Sequence, residues 1–203
     1  MSDVGIIDYG MGNIDSVGRA IEKLGYDPLF IKEPVALNDV AKIILPGVGA
    51  FPAAMQYLSQ AGFIEVLQHQ AITEKKPILG ICLGMQIFAD SGDEIEETQG
   101  LGLVPGRVVK LAPLHGERVP HVGWNEVDYK HDECLFSQIK TAADFYFVHS
   151  FYFASEEEYV LARTPYCGEI PVAVKNKNVW GVQFHPEKSQ KFGLKLLQNF
   201  MEL

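Results

Sequence analysis

Up to about residue 90, short apolar runs alternate with amphipathic stretches, and this alternation restricts the possible fold more than any other feature of the chain. Val4-Gly5-Ile6-Ile7, Pro28 to Ile31, Lys42 to Leu45 and Pro77-Ile78-Leu79-Gly80-Ile81 have the length and apolar content of strands. Between the first two, Ile14, Val17, Ile21 and Leu24 recur at helical spacing behind Asn13, a residue type suited to capping a helix N-terminus. Phe51 to Leu58, Phe63 to Ala71 and a stretch from Met85 to Ala89 also read as helical. Strands separated by helices in this way fit a mainly parallel sheet with helices on both faces.

The pattern changes after Asp90. Ser91 to Gln99 is polar and acidic and reads as a solvated loop. Arg107 to Leu111, Val119 to Tyr129, Phe145 to Phe153, Tyr159 to Arg163, Val172 to Val174 and Val179 to Phe184 read as strands in close succession, so much of their pairing should be antiparallel. Ser189 to Glu202 is an amphipathic helix with Phe192, Leu196 and Phe200 on one stripe. The expected class is therefore α/β. A single domain over residues 1–203 would hold a mixed, mainly parallel central sheet flanked by helices, with additional antiparallel strands in the C-terminal half.

Composition narrows the function classes. The formal net charge of −9 argues against nucleic acid as a main partner, because phosphate binding needs clustered Lys and Arg. No apolar run reaches the roughly 18 residues of a membrane span. Met1 to Ile7 reads as the start of a strand and not as a signal peptide, which points to a cytoplasmic protein. Cys82, Cys134 and Cys167 form no close pair, so a disulfide framework is not expected. His115, His121 and His131 lack metal-ligand spacing, and Gly10-Met11-Gly12 has Asp15 where a dinucleotide fingerprint needs its third glycine. Neither a metal nor an organic cofactor is expected.

Cys82 lies where a strand should end and a helix begin, in the spacing Gly80-Ile81-Cys82-Leu83-Gly84. Gly-x-Cys-x-Gly follows the logic of the Gly-x-Ser-x-Gly nucleophile elbow: a tight, strained turn presents the nucleophile, and flanking glycines remove clashing Cβ atoms. A helix N-terminus there favours a thiolate, and the N–H of Leu83 would face a developing oxyanion. The alternative is a buried structural cysteine. A cysteine nucleophile needs a base, and the base an orienting group. His185-Pro186-Glu187 follows the strand Val179 to Phe184, and in extended backbone His185 and Glu187 share one face. The alternative is an ordinary strand-end His with a solvated Glu. Pro46-Gly47-Val48-Gly49 follows another strand and is either a second oxyanion donor or a plain tight turn.

Together these segments resemble the class I (triad-type) glutamine amidotransferases, over essentially the whole chain. Gly80 to Gln86 is similar to that family's nucleophile segment, and Gly181 to Glu187 to its His–Glu segment. Within the class, Ile7-Asp8-Tyr9-Gly10-Met11-Gly12-Asn13, Leu45 to Phe51, Pro120-His121-Val122-Gly123-Trp124-Asn125 and Tyr146-Phe147-Val148-His149-Ser150-Phe151 most resemble the glutaminase subunits of imidazole glycerol phosphate synthase, with Phe151 where those have Tyr. The resemblance implies a flavodoxin-like fold and a Cys82–His185–Glu187 triad that hydrolyses L-glutamine. It implies an oxyanion hole from Gly47, Val48 and Leu83, and substrate contacts from Gly49, Gln86, Ser150 and Phe151. It also implies a (β/α)8-barrel cyclase partner that receives the ammonia and is faced by Asn13, Trp124 and Lys188. A glutaminase serving another synthase, a cysteine peptidase on the same elbow and a non-catalytic module remain as rivals.

Overall fold

The computed structural model describes residues 2–130 and 132–203; Met1 and His131, both read in the sequence above, lie outside them. The first half runs β1 (Ser2–Ile7), α1 (Ile14–Lys23), β2 (Pro28–Ile31), β3 (Val40–Gly47), α2 (Phe51–Gln60), α3 (Phe63–Ile72), β4 (Ile78–Cys82) and α4 (Leu83–Gln86). The second half runs β5 (Ser91–Gly92), β6 (Thr98–Gln99), β7 (Arg107–Lys110), β8 (His121–Tyr129), β9 (Ala143–His149), β10 (Phe151–Ala154), β11 (Val160–Pro165), β12 (Glu169–Asn176), β13 (Val179–Val182) and α5 (Gln190–Met201). Among the described residues, no helix is long and apolar enough to cross a membrane.

A nine-stranded sheet has the order β2-β1-β3-β4-β13-β12-β11-β8-β9. Its first five strands pair parallel and the remaining pairings are antiparallel. The sheet is mixed because β13, the last strand in sequence, enters beside β4 at the centre and joins the two halves. Period-2 alternation divides the core into two layers. Val4, Ile6, Ile44, Leu79 and Ile81 face the layer of α1 and α5, while Ile7, Ile43, Leu45 and Ile78 face that of α2 and α3. All nine are at most 1% exposed, and burying each contributes about 1.5–3 kcal/mol.

Several local expectations are corrected. The helix expected from Met85 is the single turn Leu83–Gln86. It stops because the carbonyls of Ile87, Phe88 and Ala89 are taken by the amides of Leu101, Leu103, Val104 and Gly102, which leaves none to continue a helical ladder. Ser91 to Gln99 is not wholly a loop, since β5 and β6 join β7 and β10 in a second, four-stranded sheet. The single strand expected from Phe145 to Phe153 is two, β9 in the large sheet and β10 in the small one, broken at Ser150. Asn13 stands at the N-cap of α1 but makes no capping hydrogen bond with its side chain.

Candidate active site

β4 delivers Cys82 at its C-terminal end, and the backbone there turns sharply into α4 with φ 56° and ψ −113°. A non-glycine residue at positive φ outside a loop is held by its surroundings, and two glycines allow this one. A Cβ on Gly84 would fall 1.8 Å from the Leu45 carbonyl oxygen, and one on Gly80 would fall 2.6 Å from that of Gly84. The turn therefore packs backbone against backbone, and the thiol projects into a cleft of about 310 Å³. Val48, Gly49, Leu83, Gln86, Ser150, Phe151, His185 and Lys188 share that cleft. Tyr9 and Gly47 pack beneath the turn: a Cβ on Gly47 would meet the Tyr9 hydroxyl and the Gly84 nitrogen at 2.8 Å. Burial, reinforced by the Cys82 charge, keeps that phenol protonated.

His185 follows β13. Its backbone N–H donates to the Tyr146 carbonyl on β9, and its own carbonyl accepts from the Ser189 hydroxyl at 2.6 Å. Ser189 Oγ in turn accepts from Tyr146 N–H at 3.0 Å, so His185 is pinned to β9 from both sides. Extended backbone does not continue to Glu187: Pro186–Lys188 is a turn of 3-10 helix. Its fixed proline φ folds the carboxylate back, placing Glu187 Oε1 2.9 Å from His185 Nδ1. The side chains of both are almost wholly buried. Glu187 Oε2 has no partner among the described residues, so the hydrogen bonding of this carboxylate is concentrated on the imidazole.

Cys82 and that imidazole line the same cleft and are coupled electrostatically. Burial pulls the His185 pKa down, but its interactions with Cys82 and Glu187 and their charges outweigh it, raising the pKa to about 9. The histidine is thus a proton donor at neutral pH, with its orientation set by a carboxylate. A thiol and an imidazole on one cleft, with a buried carboxylate bonded to the imidazole, can perform nucleophilic acyl transfer.

The structure separates the other residues considered in the sequence. Gly47 lies behind the cleft wall, and Val48 N–H donates at 3.4 Å to the Met11 carbonyl. Gln86 Nε2 donates to the Phe151 carbonyl and to Gln183 Oε1, both at 2.9 Å. Asn13 and Trp124 do not line the cleft. Cys134 is exposed and Cys167 buried, both away from it. Among the described residues, no cluster of His, Cys, Asp or Glu could hold a metal ion.

Three polar residues on or behind the cleft wall were not singled out in the sequence. His149 lines the wall, its Nδ1 2.9 Å from the Phe151 carbonyl and its Nε2 2.9 Å from His121 Nδ1. Its inward alternation with Phe145 and Phe147 was the available signal, a polar ring at an apolar-face position. Gln183, wholly buried, donates to Cys82 Sγ at 3.7 Å. A glutamine between Val182 and Phe184 in a buried segment was its signal. Glu94 also lines the cleft and accepts from Phe51 N–H at 2.8 Å; nothing separated it from its acidic neighbours in sequence.

Comparison with known proteins supplies an independent line. The family model for glutamine amidotransferase class-I matches residues 5–203. The chain is 50% identical over 198 residues to "Imidazole glycerol phosphate synthase subunit HisH" of Desulfitobacterium hafniense (strain DSM 10664 / DCB-2), covering 97% of this chain and 92% of that protein. It is 44% identical over 200 residues to "Imidazole glycerol phosphate synthase subunit HisH 1" of Campylobacter jejuni subsp. jejuni serotype O:23/36 (strain 81-176), covering 98% of this chain and 100% of that protein. A crystal structure of a glutamine amidotransferase superposes with a TM-score of 0.77 at 21% identity, covering 98% of this chain and 97% of the other. At that identity the likeness speaks for the fold alone.

Proposed function

The chain belongs to the class-I glutamine amidotransferase family, and from that premise we propose that it is the glutaminase subunit of an imidazole glycerol phosphate synthase, hydrolysing glutamine for histidine biosynthesis. The observation that carries this reading is Cys82 and His185 together in one cleft, with the buried Glu187 carboxylate hydrogen-bonded to His185 Nδ1. In the reaction, the Cys82 thiolate attacks the side-chain carboxamide carbon of glutamine. The imidazolium of His185 gives its proton to the departing ammonia, leaving a glutamyl thioester. His185, now neutral, takes a proton from water as that water attacks the thioester, releasing glutamate and restoring the pair.

Leu83 N–H, at the first position of α4, is the proposed oxyanion donor, and such a donor is worth about 3–4 kcal/mol. Val48 N–H is its proposed second half. Its bond to Met11 is long, and a peptide flip between Gly47 and Gly49, where Gly49 has φ 108°, would turn it into the cleft. This is a way for a partner to switch the site on. Gly49, Gln86, Ser150 and Phe151 are proposed to border the glutamine; Phe151, lacking a hydroxyl, offers its ring and its backbone.

The proposed docking face for a (β/α)8-barrel cyclase surrounds the cleft mouth. On the outer side of β8 and β9, Val122 pairs with Val148 and Trp124 with Tyr146. Val122, Trp124 and Val148 are exposed, as is Val48 on the cleft rim. Lys188 Nζ lies over the Tyr146 ring at 5.9 Å, and Asn13 stands at the start of α1. An apolar patch with a polar border marks an association surface. Ammonia passing directly to the partner would avoid protonation in bulk water.

Co-purification with a barrel cyclase, followed by a glutaminase assay with and without that partner and its nucleotide substrate, tests the reading. The expected result is turnover in the complex, stimulated by the nucleotide, and little in the isolated subunit. A complex that leaves glutamine untouched would overturn it.

A further inference from the structure

Gln183 belongs to a chain of buried hydrogen bonds whose direction the backbone dictates. The Phe151 carbonyl can only accept. Gln86 must therefore present its Nε2 there, and the same nitrogen reaches Gln183 Oε1 at 2.9 Å. With its oxygen so occupied, Gln183 can only turn its Nε2 towards Cys82 Sγ, 3.7 Å away. The same carbonyl fixes the second arm. His149 Nδ1 must carry a hydrogen to reach it, so in the neutral ring Nε2 accepts, and His121 Nδ1 donates. Burial drives both imidazoles down to about 4, helped at His149 by the charge of His185 and at His121 by His149, so the relay stays neutral at working pH. The rings of Phe147 and Tyr166 clamp His121 at 4.7 and 3.7 Å.

We propose that Gln183 is a further catalytic residue, a donor fixed on the Cys82 sulfur that stabilises its ionised form and holds it in line with His185. Gln86, His149 and His121 are positioning residues that act through it. His185 lines the same cleft, and the neutral thiol donates to the Val148 carbonyl at 3.8 Å. Once ionised it would repel that carbonyl, and Gln183 is the neutral donor that counters this. The proposal rests on the reading of Cys82 as the nucleophile but is tested without glutamine.

The test is the rate of iodoacetamide alkylation at Cys82 against pH, followed by mass spectrometry of its peptide so that Cys134 and Cys167 do not contribute. The titratable groups around the sulfur, His185 with Glu187 behind it, Tyr9 and His149, and Glu94 and Lys188 on the cleft lining, are common to every variant. Gln183→Glu keeps the bond from Gln86 but turns an acceptor towards sulfur. The alkylation profile is expected to move about one unit to higher pH, so that alkylation on its acid limb is about tenfold slower. Gln183→Leu should slow it by a smaller factor. Profiles matching the parent in both folded variants would overturn the proposal. If neither folds, the Gln183 side-chain amide resonances of the parent chain decide. They should titrate with the alkylation midpoint and stop doing so in Cys82→Ser; resonances that ignore that midpoint would sink the idea.

Discussion

The parallel and antiparallel halves of the molecule contribute to the same cleft in opposite ways. The parallel half supplies Cys82 through a local device, a turn in which glycines lie against neighbouring backbone and the nucleophile is held at φ 56°. The antiparallel half supplies the opposing wall, Val148 to Phe151, through long-range pairing. There, strand partners and buried hydrogen bonds set the geometry, and no strained turn does. Strain concentrated in a few residues makes one half intolerant of small changes. A distributed network makes the other half yield gradually.

The sharpest probe is Cys82→Ala. It should abolish glutamine turnover by more than about 10⁴-fold while the thermal transition stays in place, and retained glutaminase activity in the assembled enzyme would discard the mechanism. Next comes a matched pair of glycines. Gly84→Ala places a Cβ against the Leu45 carbonyl and should cost more than about 3 kcal/mol. Gly123→Ala on β8 meets no atom within 4 Å, and only its φ of 140° opposes the change, at about 1–3 kcal/mol. Equal losses in denaturant melts would erase the contrast between the halves.

Glu187→Gln should lower kcat by at least about 10²-fold. It should also move the alkaline limb of kcat/KM, set in the parent near the His185 value of about 9, to lower pH. The raised value means that this ion pair stabilises the fold fully below the ordinary histidine range and loses that contribution as pH rises through about 9. The smallest effect belongs to His121→Phe, which keeps the stacking but removes the donor to His149. Stability at pH 7 should fall by about 1 kcal/mol. The parent loses stability as pH drops from the ordinary histidine range towards about 4, because its unfolded chain binds protons that these buried rings refuse. The variant, with one such ring fewer, should lose less over that range.

Legibility in the sequence followed the same division. Gly80-Ile81-Cys82-Leu83-Gly84 could be read because the steric demand falls on adjacent residues, and His185-Pro186-Glu187 because proline limits the link between base and orienter. The break at Ser150 could not be read. Residues 145–153 have a continuous strand pattern, and only the separate partners of β9 and β10 show that the chain changes sheets there. Glu94 lay hidden for a related reason, since its place on the cleft depends on a bond to Phe51, 43 residues away.

That change of sheets leaves the chain no slack. Ser150 is the one residue between β9 and β10, and its carbonyl accepts from Leu111 N–H at 2.9 Å. An added residue there would turn Phe151 and Phe153 to the opposite face, because side chains alternate with a period of two. The exposed turn around residues 112–118 has no such constraint and can absorb insertions. Length variation should therefore accumulate in that turn and stop abruptly at Ser150.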